Sequence, residues 1–132
     1  MKNEKLIRSV AFGFGAVLLL ILAFIAIIYM IIFTEVRNTC DRAIAAYQKD
    51  CVDSLVLVLE SEDKSVKEKN DAIWALGQIA DKRALPVLEK LYTGEIPERE
   101  PLDKVISQYE IEKSIHWINE GNWTSWMYLR IR

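Results

Sequence analysis

The fold is decided by the stretch N-D-A-I-W-A-L-G-Q-I-A-D-K-R-A-L-P-V-L-E-K-L, Asn70 to Leu91. Apolar residues recur at Ala72, Ile73, Ala75, Leu76, Ile79 and Ala80, spaced as on one face of a helix. Asp81 breaks the pattern and offers a side-chain oxygen to start a new helix, after which Ala84, Leu85, Val87, Leu88 and Leu91 resume it. Pro86 lies in the first turns of that second helix, where its missing N–H costs least. Immediately upstream, Ser65 and Glu68 have the spacing of a capping box and set the start of the first helix. The stretch therefore predicts two helices joined by a tight turn.

Working outward, Val52, Leu55, Val56 and Leu59 predict a further helix from Val52 to Glu60. They sit 32 positions before Ala84, Val87, Leu88 and Leu91, so the chain repeats one apolar spacing within itself. The segment Asn70 to Leu91, and above all A-L-G-Q-I-A-D-K-R-A-L-P from Ala75 to Pro86, resembles the junction between HEAT-like repeats of the phycobilisome-lyase type. Gly77 fits the resemblance as a point of close backbone approach. The resemblance is strongest from Cys51 to Tyr92 and implies an alpha-solenoid whose usual work is protein–protein interaction. A few members of the family attach or isomerise chromophores, but nothing in this chain marks a bilin site. The loop T-G-E-I-P-E-R-E, Thr93 to Glu100, is longer and more acidic than the pattern expects. Pro101 is expected to restart a helix through Leu102, Val105, Ile106 and Tyr109, continuing with Ile111, Ile115 and Ile118 until Gly121 and Asn122 stop it. Two repeats fall short of the roughly three that bury a continuous core, so other segments must cover the ends.

Toward the amino terminus the composition changes. The 26 residues between Arg8 and Glu35 carry no charge, and Val10 to Phe33 would form a helix about 36 Å long, enough to cross a bilayer. No A-x-A-like cleavage pattern precedes Glu35, which reads as an uncleaved signal anchor. Ala11 and Gly15 have a small-xxx-small spacing, which leaves a homodimer open. Lys2, Lys5 and Arg8 are packed more densely than Arg37, Arg42 and Lys49 beyond the span, favouring a cytoplasmic amino terminus and an external domain. After the span, Val36, Cys40, Ile44 and Tyr47 predict an amphipathic helix. With no Gly or Pro between Ala16 and Leu76, it and the span form one candidate rod. Cys40 and Cys51 are too far apart to bridge on an unbroken helix, whereas a turn near Lys49 and Asp50 would allow a disulfide; two buried unpaired thiols are the other reading.

Charge and motifs then exclude several chemistries. Of the 17 basic and 19 acidic residues, three and one precede Glu35, leaving 14 against 18 in the remaining 98 residues. That net of −4 has the wrong sign for nucleic acid. No phosphate loop, Ser-His-Asp set or C-x-x-C motif is present, so catalysis is not expected and no cofactor is implied. Glu112, His116 and Glu120 share a helical spacing that a divalent metal would exploit, although a solvated acid-His-acid face has the same spacing. Trp74 reads as packing between helices.

The carboxy-terminal segment W-I-N-E-G-N-W-T-S-W-M-Y-L-R-I-R begins at Trp117 and includes Trp123, Trp126, Tyr128, Arg130 and Arg132, with no acid after Glu120. Three readings stay open: closure of the solenoid's end, contact with a membrane surface, and a patch for a protein partner. Asn122-Trp-Thr124 also matches a glycosylation sequon.

The resulting expectation is an all-α chain with a single transmembrane helix followed by a HEAT-like α-solenoid of about two repeats. Its segments are a basic tail at 1–9, a span at 10–33, a juxtamembrane helix at 35–49, a helical domain at 50–120 and an aromatic tail at 121–132. The expected function is that of a non-catalytic, membrane-anchored adaptor or assembly factor binding a protein partner. The alternative is a small accessory subunit of a membrane enzyme, or a metal-binding protein using Glu112, His116 and Glu120.

Overall fold

The computed structural model describes residues 2–130, without the side chains of residues 2, 3, 5, 6 and 9. Lys2 and Lys5, which carry most of the orientation argument, and Arg132 thus fall outside the described side chains. Among the described residues every regular element is helical. The chain divides into two units, 1–34 and 35–132.

The first unit is helix. α1 runs from Lys2 to Tyr47, so the span and the amphipathic segment form the single rod that the lack of Gly and Pro allows, and the segment expected as a basic tail is helical as well. From Val10 it is long and apolar enough to cross a membrane, with a mean hydropathy of 3.2 in its most apolar window, none of which is buried. Phe12, Phe14, Leu19, Leu20 and Met30 all expose their side chains, which a soluble core helix does not do.

The second unit begins with the last turns of α1. Val36, Cys40 and Ala43 are its buried face, whereas Ile44, expected there, is partly exposed because Ala43 takes its place in the apolar stripe. Gln48, at φ 56°, turns the chain out of α1. Asp50 then accepts a hydrogen bond from the Asp53 N–H at 3.1 Å and caps α2, Cys51–Glu60. The turn brings the cysteine Cα atoms to 5.0 Å, and a disulfide joins Cys40 to Cys51.

α3, Val66–Ile79, starts with the capping box: Ser65 Oγ accepts from the Glu68 N–H and the Glu68 carboxylate accepts from the Ser65 N–H at 2.9 Å. The Ser65 hydroxyl, which also donates to the Glu68 carboxylate at 2.7 Å, holds that carboxyl below its usual range, with the Ser65 N–H adding to the effect. Ala80, expected on the apolar face, is instead a left-handed cap at φ 55°. Asp81 caps a short 3-10 turn, Lys82–Ala84, which leads into α4, Leu85–Leu91, with Pro86 in its first turn.

The expected helix from Pro101 is not formed. Residues 101–107 make turns, and α5 spans Gln108–Glu120. Asn70 Nδ2 donates to the carbonyls of Leu102 and Val105, both at 2.9 Å, and its Oδ1 accepts the Ser107 N–H at 2.9 Å. Ser107 Oγ caps the helix through the Glu110 N–H, and Glu100 accepts the Gln108 N–H at 2.6 Å, a negative charge at the helix's positive end. Leu102 and Val105 remain exposed.

The core holds Val52, Leu55, Ile73, Leu76, Leu88 and Ile111, drawn from α2 to α5. α3 crosses α5 in close contact at Gly77 and Ser114.

Candidate interaction site

Gly121, at φ 97°, stops α5 and turns the chain back toward the end of α3. Asn122 Nδ2 donates to the Gly77 carbonyl at 3.2 Å, and Thr124 Oγ1 donates to Gln78 Oε1 at 2.7 Å. Both polar members of the sequon triplet are therefore engaged in holding the segment on α3. The 3-10 turn Ser125–Tyr128 follows, and Tyr128 is fully buried, which pushes its hydroxyl up to about 12. Closing the domain with Tyr128 aims its neighbours the other way. Trp123 is 87% exposed and Trp126 66%, with Leu129 and Arg130 exposed beside them in the chain. Trp117 is half-buried on α5, where Lys113 Nζ lies 5.1 Å from its ring centroid and 5.1 Å from that of Tyr109. The segment thus divides between closure and display, a split its composition did not foretell.

A second surface lies along α3, α5 and the turns before α5. Trp74 is half-buried in a groove that it shares with Lys67, Asp71, Leu102, Asp103 and Glu110. Asn70, also in its wall, fixes the backbone that bears Leu102.

The acid-His-acid face is divided. His116 Nδ1 lies 3.4 Å from Glu120 Oε1, both exposed, whereas Glu112 accepts a hydrogen bond from the Tyr92 hydroxyl at 3.0 Å. That bond to the carboxylate raises the Tyr92 ionisation above its ordinary value. Among the described residues no group of three or more His, Cys, Asp and Glu side chains is placed to hold a metal ion.

Sequence reasoning missed the polar residues that hold these surfaces. Asn70 and Gln78 lie at positions continuing the apolar spacing of α3, and a polar residue in an apolar stripe is the available signal. Arg83 gave no such signal. Its guanidinium reaches Asp81 at 3.2 Å, Asp50 at 3.0 Å and Asp53 at 2.9 Å, tying the 3-10 turn before α4 to the start of α2. Burial would raise the Asp50 carboxyl, but the Asp53 N–H and Arg83 outweigh it and leave it below its usual range.

Residues 69–93 match the family model of the PBS lyase HEAT-like repeat. The match covers α3 from near its start, the Asp81 turn and all of α4. No curated protein and no solved structure matches the chain.

Proposed function

We propose that this protein is a membrane-anchored, non-catalytic interaction module, an adaptor or assembly factor for a larger membrane or envelope complex. The observation that carries the reading is the HEAT-like match over residues 69–93, since HEAT-like repeats suggest a protein-interaction role. The groove beside Trp74 is the partner face this reading favours: it combines an aromatic wall with exposed Leu102 and a charged rim, the composition of an interface anchor.

The apolar, exposed part of α1 supports the anchor. An external domain draws support from the basic residues ahead of the span and from the Cys40–Cys51 bridge, because disulfides persist in oxidising compartments. Co-purification from native membranes in mild detergent tests the reading. The full chain brings down a stoichiometric protein partner, and Leu102→Glu, on an exposed side chain, loses it without a change in melting. A chain that elutes without any partner, or a variant that retains it fully, sinks the groove assignment.

A further inference from the structure

We propose that the edge formed by Trp123, Trp126, Leu129 and Arg130 docks on an anionic bilayer surface, giving the domain a membrane contact besides α1. The inference rests on the membrane-anchored reading above. Three observations carry it. The first is exposure: two tryptophans at 87% and 66% share a short segment with an exposed leucine, and Thr124 and the buried Tyr128 pin that segment. Tryptophan has an apolar body with one N–H donor, and its most favourable location is the headgroup level of a bilayer.

The second is charge. The soluble unit is net negative, yet no acid follows Glu120, and the exposed Arg130 directly follows the exposed Leu129 in the chain. A basic residue is attracted to an anionic leaflet, and the attraction acts only within a Debye length of the surface. The third is distance along the chain. Only Thr34 and Glu35 lie between the apolar run ending at Phe33 and the first buried residue of the domain, Val36. The sequence therefore leaves no room for a flexible linker between the apolar run and the domain. A protein partner would also favour Trp and Arg, but the positive charge that Arg130 brings to this segment matches phosphate headgroups.

The test uses a property of the sequence: all four tryptophans, at positions 74, 117, 123 and 126, lie outside the apolar run. Tryptophan emission of the full chain therefore reports on the domain alone. The chain is reconstituted into nanodiscs of phosphatidylglycerol, with and without bromine on the acyl chains near the headgroup. Docking predicts a blue-shifted emission that brominated lipid quenches, with the quenching lost in the Trp123→Phe/Trp126→Phe double variant. Arg130→Glu, or high salt, weakens it, and Arg130→Lys restores it. A chain that enters the discs but shows equal emission with both lipids overturns the proposal and leaves the anchor intact. Tryptophans that become shielded only when a co-purified protein is added overturn it in favour of a protein partner. Failure to enter the discs at all refutes the anchored reading itself, and the proposal with it.

Discussion

Gly77 and Ser114 meet where α3 crosses α5, so closely that a methyl group on Gly77 would stand 2.9 Å from Ser114 Cβ and 3.1 Å from its Cα. Ser114 Oγ donates to the Ile73 carbonyl at 3.0 Å, which holds the serine against α3. The small pair lets the two backbones approach. Gly77→Ala is expected to destabilise the domain by about 1 to 3 kcal/mol, the usual cost of overpacking a filled core. Gly77→Ala combined with Ser114→Gly should recover part of that loss in urea melts. A Gly77→Ala chain as stable as the parent would mean that the helices cross elsewhere.

Asn70 replaces backbone pairing that a helix from Pro101 would have supplied. It satisfies the Leu102 and Val105 carbonyls and the Ser107 N–H with one side chain. Asn70→Ala leaves these groups to find water or go unpaired, at about 1 to 3 kcal/mol for a donor or acceptor that stays buried. Faster proteolytic cutting within 93–107 is the expected result, ahead of any change in α2. An unchanged cutting pattern would show that the turns hold themselves.

These two residues show where the sequence was legible. α2, α3 and the turn at Asp81 follow from local periodicity and capping, because their apolar faces and caps lie within a few residues of one another. Leu76 and Leu88, both fully buried, fall on the faces that spacing assigns them. The segment after Pro101 was misread because its apolar residues have helical spacing, while the groups that deny it a helix, Asn70 and Glu100, act on it from outside. The same holds for the carboxy-terminal edge. Composition identified the aromatics, but only the Gln78–Thr124 hydrogen bond and the burial of Tyr128 decide which of them face outward.

The Cys40–Cys51 bridge closes a loop over a separation of 11 residues and fastens α1 to the start of α2. By loop-closure entropy it contributes roughly 3 kcal/mol. Replacing both cysteines with serine should lower the denaturation midpoint of the domain, and adding reductant to the parent should reproduce the effect. If neither treatment moves the midpoint, the helices are held by Val36, Ala43 and their neighbours alone.

Tyr128 makes stability depend on alkaline pH. An exposed tyrosine ionises near 10, whereas burial pushes this one up to about 12. Folding thus favours the protonated phenol. Its contribution is fully present below the unfolded value of about 10 and is lost as pH rises through the folded value of about 12. Tyr128→Phe has no proton to lose, so its melting temperature should fall less than the parent's across that interval. Equal alkaline losses in both proteins would assign the effect to other groups.

The division of the carboxy-terminal segment predicts that its residues fail in different ways. Tyr128 is buried to 0% exposure and Thr124 is bonded to Gln78, so Tyr128→Ala opens a cavity under the end of α3 and should cost about 3 to 5 kcal/mol. Deleting residues 121–132 should lower the melting temperature and expose apolar surface to a hydrophobic dye. Trp123→Ser and Trp126→Ser remove side chains that are largely in solvent, and their melting should match the parent. Their loss should appear instead as weaker attachment of the domain to anionic bilayers. Should the tryptophan variants melt as low as Tyr128→Ala, the whole segment is packing and the exposed edge carries no function.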